Sequence, residues 1–188
     1  MEQRPTYRAD VALDITLTMS DSVLIRMASA SDAKLYQTFM AEIFAEDLDT
    51  LCPRAHTPTT DQVQSWVATH TGVSSVLFFA ERQGDLVGTI NLSRFSRPHI
   101  DHVVGLGLNV KLGERNKGVG KALLQAGLSW FEAATTIERI ELEVTNNNGP
   151  AIHLYEKFGF TCEGVKRKAV KKGSQYLDLH VMGLQKYG

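Results

Sequence analysis

The sequence predicts an α+β domain in three layers, with helices packed on a largely antiparallel sheet. Three observations carry that class. Several segments alternate apolar and polar residues with a period of two, as a half-buried strand does; Val11–Met19 and Arg139–Thr145 are the clearest. Other segments space their apolar residues for a helix, as Val119, Ala122, Leu123, Ala126, Trp130 and Ala133 do. Strand-like runs are also joined by short turns, at Gln83-Gly84-Asp85 and Lys171-Lys172-Gly173, which suit antiparallel neighbours.

Residues 1–10 are polar. Val11, Leu13, Ile15, Leu17 and Met19 form an alternating strand that Ser20-Asp21-Ser22 ends, and Val23–Met27 reads as the next strand. Ser29 or Ser31 caps a helix over Asp32–Ala45, with Leu35, Phe39 and Ile43 on one face. Leu51–Thr60 is a loop broken by Pro53 and Pro58, and a second helix follows over Asp61–Thr71. Val76–Glu81 and Leu86–Phe95 make a hairpin, Arg97-Pro98 interrupts, and Ile100–Val110 is the next strand. The helix opened by Gly118-Val119-Gly120 runs to the neighbourhood of Thr135. Arg139–Thr145 is a strand with Glu141 and Glu143 on its polar face. A short helix fits Pro150–Phe158: Asn148 or Gly149 caps it, Pro150 suits its first turn and Gly159 closes it. Phe160–Val170 and Gln175–Leu184 complete the sheet.

At 188 residues the chain suggests one domain around one core. Its apolar share of 43% and charged share of 22% are ordinary for a soluble globular protein. A formal charge of -1 gives no general attraction to nucleic acid or acidic membranes. The two cysteines, Cys52 and Cys162, form no CxxC pair, so neither a disulfide framework nor a zinc site is expected. His99 and His102 would point to opposite faces of a strand, and no metal is expected there either. No run is apolar enough to span a bilayer, and MEQRPTYRAD lacks the apolar heart of a secretory signal, so a cytoplasmic protein is expected.

The stretch Leu106–Ala122, LGLNVKLGERNKGVGKA, passes from an apolar strand through a charged turn into a helix. The first amides of a helix lack intrahelical partners and point outward along the dipole, and glycines let a phosphate come close to them. Two familiar phosphate motifs fail. Gly113 and Gly118 have the P-loop spacing, but no Lys-Ser/Thr follows. Neither Gly105-Leu106-Gly107 nor Gly118-Val119-Gly120 is followed by the third glycine of a dinucleotide fingerprint. What remains, Arg115-Asn116-Lys117-Gly118-Val119-Gly120, fits Arg/Gln-x-x-Gly-x-Gly/Ala. It resembles the acetyl-CoA pyrophosphate loop of the GNAT superfamily of N-acetyltransferases.

A second stretch carries the resemblance further. Asn148, Ala151, Leu154, Tyr155, Glu156, Lys157, Gly159 and Phe160 are similar to the family's Asn-x-x-Ala-x-x-Leu-Tyr-Glu-Lys-x-Gly-Phe motif at every marked position. The closing segment, with Glu163-Gly164-Val165, Arg167, Gly173, Tyr176, Asp178 and Met182, resembles the branch of ribosomal-protein N-terminal acetyltransferases and their small-amine relatives. The resemblance implies a mixed, largely antiparallel sheet of about seven strands flanked by about four helices. It implies acetyl-CoA as co-substrate. The pyrophosphate would lie on Arg115, Asn116, Lys117, Gly118, Val119, Gly120 and Lys121. The pantetheine would lie along the backbone of Leu108, Asn109 and Val110, where the family's strands splay and the arm mimics a peptide strand. Asn148 and Ala151 would sit beside that arm. Tyr155 would lie beside the sulfur and protonate the leaving thiolate, its phenol being protonated at neutral pH with a pKa near ~10.

An ammonium must lose a proton before it attacks, so a general base is also expected. The family places it variably. Alternation puts His102 on the face of Leu108 and Val110 and Asp101 on the other. The candidates, in order, are His102, Glu143, Asp101 and His180. The acceptor would be a small amine, an amino acid or a protein N-terminus, chosen by Leu51–Thr60, the early helices and the final hairpin. The other reading of the same residues is an acyl-CoA-binding sensor or interaction module without turnover. The domain would span residues 22–188, with 1–21 an extension whose strand adds a sheet edge or pairs across a homodimer. The run Lys166-Arg167-Lys168 with Lys171-Lys172 reads as a solvated hairpin.

Overall fold

The alternating and helical patterns become seven strands and four helices among the described residues, which are 23–46, 58–70 and 72–186 of the computed structural model. The strands are β1 (Leu24–Met27), β2 (Val76–Arg82), β3 (Asp85–Arg94), β4 (Val103–Val110), β5 (Arg139–Thr145), β6 (Thr161–Lys172) and β7 (Gln175–Gln185). The helices are α1 (Ala33–Ala45), α2 (Thr60–Ala68), α3 (Val119–Ala133) and α4 (Gly149–Lys157). The expected strand over Val11–Met19, residues 51–57 of the expected loop, and Cys52 lie outside the described residues.

The sheet order is β1-β2-β3-β4-β5-β7-β6. Every neighbouring pair is antiparallel except β4 with β5. That parallel pair needs a crossover, and α3 supplies it. One face of the sheet buries Ile90, Leu92, Val104, Ile140, Leu142 and Met182 against Leu123, Trp130 and Phe131 of α3 and Tyr155 of α4. The other buries Leu77, Phe79 and Leu86 against Phe39 and Ile43 of α1 and Val63 and Val67 of α2. Two layers of helix therefore sandwich the sheet, as the patterning predicts.

The caps follow local chemistry. Thr59 heads α2 in a reciprocal cap: its hydroxyl accepts from Gln62 N at 3.3 Å, and its own amide donates to Gln62 Oε1 at 2.9 Å. Asn148 Oδ1 caps α4 by accepting from Ala151 N, and Gly159 closes it at φ 88°. One boundary differs in a way that matters. Residues 99–102 are a turn, with His99 at φ 71° and Val103 N donating to Ile100 O, so β4 starts at Val103 and not at Ile100. The alternation that assigns faces to Asp101 and His102 therefore does not apply to them.

Candidate active site

The site begins with a fork. β4 and β5 pair only at Val103–Arg139, Val104–Ile140 and Gly105–Glu141. Beyond Gly105, β4 continues to Val110 beside β3 alone, and β5 continues to Thr145 beside β7 alone. Two bonds fix which β4 groups enter the gap. Lys111 N donates to Val87 O, and Val103 O accepts from Phe95 N, so the odd-numbered residues turn their main chain toward β3. Leu108 and Val110 accordingly aim theirs into the gap. The three residues expected to wall the pantetheine thus divide: Leu108 and Val110 offer main chain to the gap, whereas Asn109 bonds back to β3.

At the open end of the fork the chain turns into α3. The first bond of that helix runs from Ala122 N to Gly118 O, so the amides of Val119, Gly120 and Lys121 lie ahead of the ladder. Asn116 at φ 59° and Gly118 at φ 84° give the loop two left-handed positions just ahead of α3. A salt bridge braces it. Arg115 Nη2 meets Glu46 Oε2 at 2.8 Å, Arg115 Nε donates to Val110 O at 3.0 Å, and Leu112 N donates to Glu46 Oε1 at 2.8 Å. Arg115 is therefore a brace between α1, β4 and the loop as well as a positive charge beside the amides. Lys117 pairs with Glu114 at 3.3 Å.

Fork and loop open into one cavity of about 520 Å³. Of the residues expected to hold the co-substrate, Leu108, Asn109, Val110, Arg115, Asn116, Gly118, Gly120, Lys121, Asn148, Ala151 and Tyr155 line it; Lys117 and Val119 do not. Val119, the first residue of α3, is buried in the core instead. The cavity wall also includes Ile43, Asn147, Pro150 and Leu154, which sequence reasoning did not assign to the site. Leu154 could have been found from its helical spacing with Ala151, and Asn147 from its place beside the cap. Gly120 tests the fit to a phosphate-bearing thioester. A Cβ there would meet no protein atom closer than 3.5 Å, so packing does not require glycine. The bare Cα instead leaves room at the mouth of the amide loop, as close approach of a ligand needs.

Tyr155 projects from α4 to the cavity wall and packs on Phe160 with ring centroids 5.6 Å apart. It is 6% exposed, its hydroxyl bonds to no described residue, and burial pushes its pKa up. Of the expected bases, His102 and Asp101 lie at the paired end of the fork. His102 sits at the paired end of β4, its carbonyl accepting from Glu138 N at 2.9 Å; the eight residues of β4 set it roughly 25 Å from the loop. Asp101 is exposed and paired with Arg94 at 3.1 Å. Glu143 is exposed on β5 where the strands have parted, and pairs with Lys166. His180 lies opposite Val144 on β7.

The model of the Acetyltransferase (GNAT) family matches residues 38–160. An L-amino acid N-acetyltransferase of Escherichia coli is 28% identical over 162 residues, which cover 85% of this chain and 96% of that protein. A GNAT-family acetyltransferase from Streptococcus pneumoniae has the same fold, with a TM-score of 0.82 at 23% identity over 88% of this chain and 100% of that one. An acetyltransferase from Salmonella typhimurium, solved with its cofactor acetyl-CoA, gives a TM-score of 0.77 at 19% identity over 87% and 94%. A family match across most of the chain, on a sheet that forks beside an amide-lined loop, places the chain in the GNAT family: it is an acetyl-CoA-dependent acyltransferase.

Proposed function

We propose that this acyltransferase N-acetylates small primary amines, amino-acid α-amines first among them, by direct attack on the thioester. The acceptor class is supported by the likeness to the L-amino acid N-acetyltransferase along most of both chains. The observation that carries the chemistry is the buried Tyr155 on the wall of a cavity that also takes in the parted strand and the amide loop.

The residues divide the work as follows. The amides ahead of α3 receive the diphosphate, with Arg115 and Lys121 adding positive charge. Leu108 and Val110 bond the pantetheine as an adjacent strand would, and the Leu108 amide stands where an oxyanion donor is needed. The amine nitrogen forms a bond to the carbonyl carbon, the C–S bond breaks, and the electron pair leaves on sulfur. Glu143, through water, takes the ammonium proton. Burial holds the Tyr155 hydroxyl protonated, so it acts first as a hydrogen-bond donor to the developing thiolate. The same burial raises the basicity of that thiolate and favours its protonation. Cys162 is exposed on β6, and direct attack needs no cysteine.

The test is thiol release from acetyl-CoA across a panel of amino acids, small amines and N-terminal peptides, with Tyr155→Phe as control. Turnover on at least one primary amine, lost in the control, is expected. Acetyl-CoA binding without turnover on any amine would overturn the reading.

A further inference from the structure

On the face of the sheet that carries α1 and α2, a line of hydrogen bonds runs from a main-chain carbonyl to the fork. Trp66 O in α2 lies 2.8 Å from His70 Nδ1. A carbonyl only accepts, so Nδ1 carries the proton and Nε2 of this neutral, buried imidazole is an acceptor. Ser93 Oγ lies 2.8 Å from Nε2 and must donate to it. With its one hydrogen committed, Ser93 Oγ can only accept from Asn91, whose Nδ2 lies 2.8 Å away. The amide of Asn91 is thereby held one way round, with Oδ1 turned outward.

That oxygen stands at a particular place. Asn91 on β3 is the register partner of Gly107 on β4, and a Cβ on Gly107 would lie 2.5 Å from Asn91 Oδ1. Gly107 is two residues past the last β4–β5 pair, between Leu106 and Leu108. Since Gly105 opposes Glu141, Gly107 is level with Glu143 across the gap, on the same face. Gly107 adds no side chain to the floor there, and the Phe95 ring covers Gly105 beside it. Among the described residues, nothing donates to Asn91 Oδ1. On the same face, one step further along β5, Thr145 is 3% exposed and its Oγ1 also lacks a described partner. Two unmatched hydrogen-bonding groups and a carboxylate thus surround the fork on the side away from α3.

We propose that Asn91 Oδ1 accepts one N–H of the attacking amine and so aims its lone pair at the thioester carbonyl. This rests on the reading of the chain as an amine acetyltransferase. The stoichiometry of protons gives the inference its edge. A neutral primary amine has two N–H bonds. One is held by Asn91 through the attack; the other, acidified as the C–N bond forms, passes through water to the thiolate that the same reaction releases. A secondary amine has one N–H, which must go to that thiolate, and Asn91 is then left without a partner. Asn91 is therefore a specificity determinant for primary over N-methylated amines, and Ser93 and His70 are positioning residues that act through it.

The experiment uses the best primary amine from the panel and its N-methyl analogue, measuring kcat/KM for both and acetyl-CoA Kd by calorimetry. It compares wild type, Asn91→Leu and Gly107→Ala. The alanine leaves Asn91 in place but displaces its amide oxygen. Each variant is expected to lower kcat/KM for the primary amine by about 10- to 100-fold, the usual effect of one lost hydrogen bond to a charged or charging group. Each should also shrink the preference for the primary amine, with acetyl-CoA Kd unchanged. Unchanged amine kinetics, an unchanged preference, or a parallel loss of acetyl-CoA affinity would overturn the proposal. Wild-type protein inert toward every amine is a separate result, seen before any variant is made, and it removes the underlying reading instead.

Discussion

The two sides of the forked sheet offer a ligand different kinds of group. On the α3 side they are main chain: amides ahead of a helix, the unpaired edge of β4, and glycines that keep side chains out of the way. On the α1 and α2 side they are side chains, Glu143, Thr145 and Asn91, the last held by a line of bonds that begins at Trp66. Main chain cannot be changed by substitution, so the first side suits a ligand that stays the same. Side chains can be exchanged one at a time, so the second suits an acceptor that differs between relatives.

That contrast can be broken most forcefully at Gly120. Gly120→Leu adds a side chain to the mouth of the amide loop, and acetyl-CoA affinity should fall by about a thousandfold, or ~4 kcal/mol, in calorimetry. Leucine is a better helix former than glycine by up to ~1 kcal/mol, so the melting temperature should hold or rise. Unchanged affinity would show that the diphosphate does not lie there. Next, Tyr155→Phe should lower kcat on the order of 100-fold with acetyl-CoA Kd unchanged. An equal rise in Kd would make Tyr155 a binding residue only. Glu143→Gln should lower kcat/KM for the amine by about tenfold near neutral pH and by less at high pH, where the free amine is already abundant. A pH-independent loss would argue that Glu143 is not the base.

The smallest expected effect concerns His70. Burial, partly offset by the bond to Trp66 O, holds its pKa below the ordinary 6.5. As pH falls through 6.5 the unfolded chain takes up this proton before the folded one does, so stability declines. His70→Gln should remove that share of the decline in melts between pH 7 and pH 5. An unaltered slope would mean that His70 is not buried as a neutral group.

The same contrast explains what could be read from the sequence. The α3 side was legible because its determinants are contiguous: strand, glycine turn and helix start fall within Leu106–Ala122, and Asn148–Phe160 is one short helix with its caps. Arg139–Thr145 is a strand with the expected bounds because its alternation is unbroken. The acceptor side was not legible. His70, Asn91, Ser93 and Gly107 come from three elements, and only the β3–β4 register brings them together. The setting of His102 is misread because the strand expected from Ile100 starts only at Val103, after a turn that the left-handed His99 opens. Glu46 gave no signal at all, since its bonds to Leu112 and Arg115 reach across more than sixty positions of chain and depend on how α1 packs.

The three residue pairs that join β4 to β5 also say something about cohesion. Among the described residues they are the only strand pairing between one block of four strands and another of three, and packing of α3 and α4 supplies further ties. A pantetheine arm laid in the gap would lengthen that seam and bond to its β4 edge, stapling the half-sheets together. Saturation with coenzyme A should then do more than raise the midpoint of unfolding by mass action. It should slow amide exchange on both flanks of the seam at once, along β4 and β5, while leaving the outer strands β1 and β6 as they were.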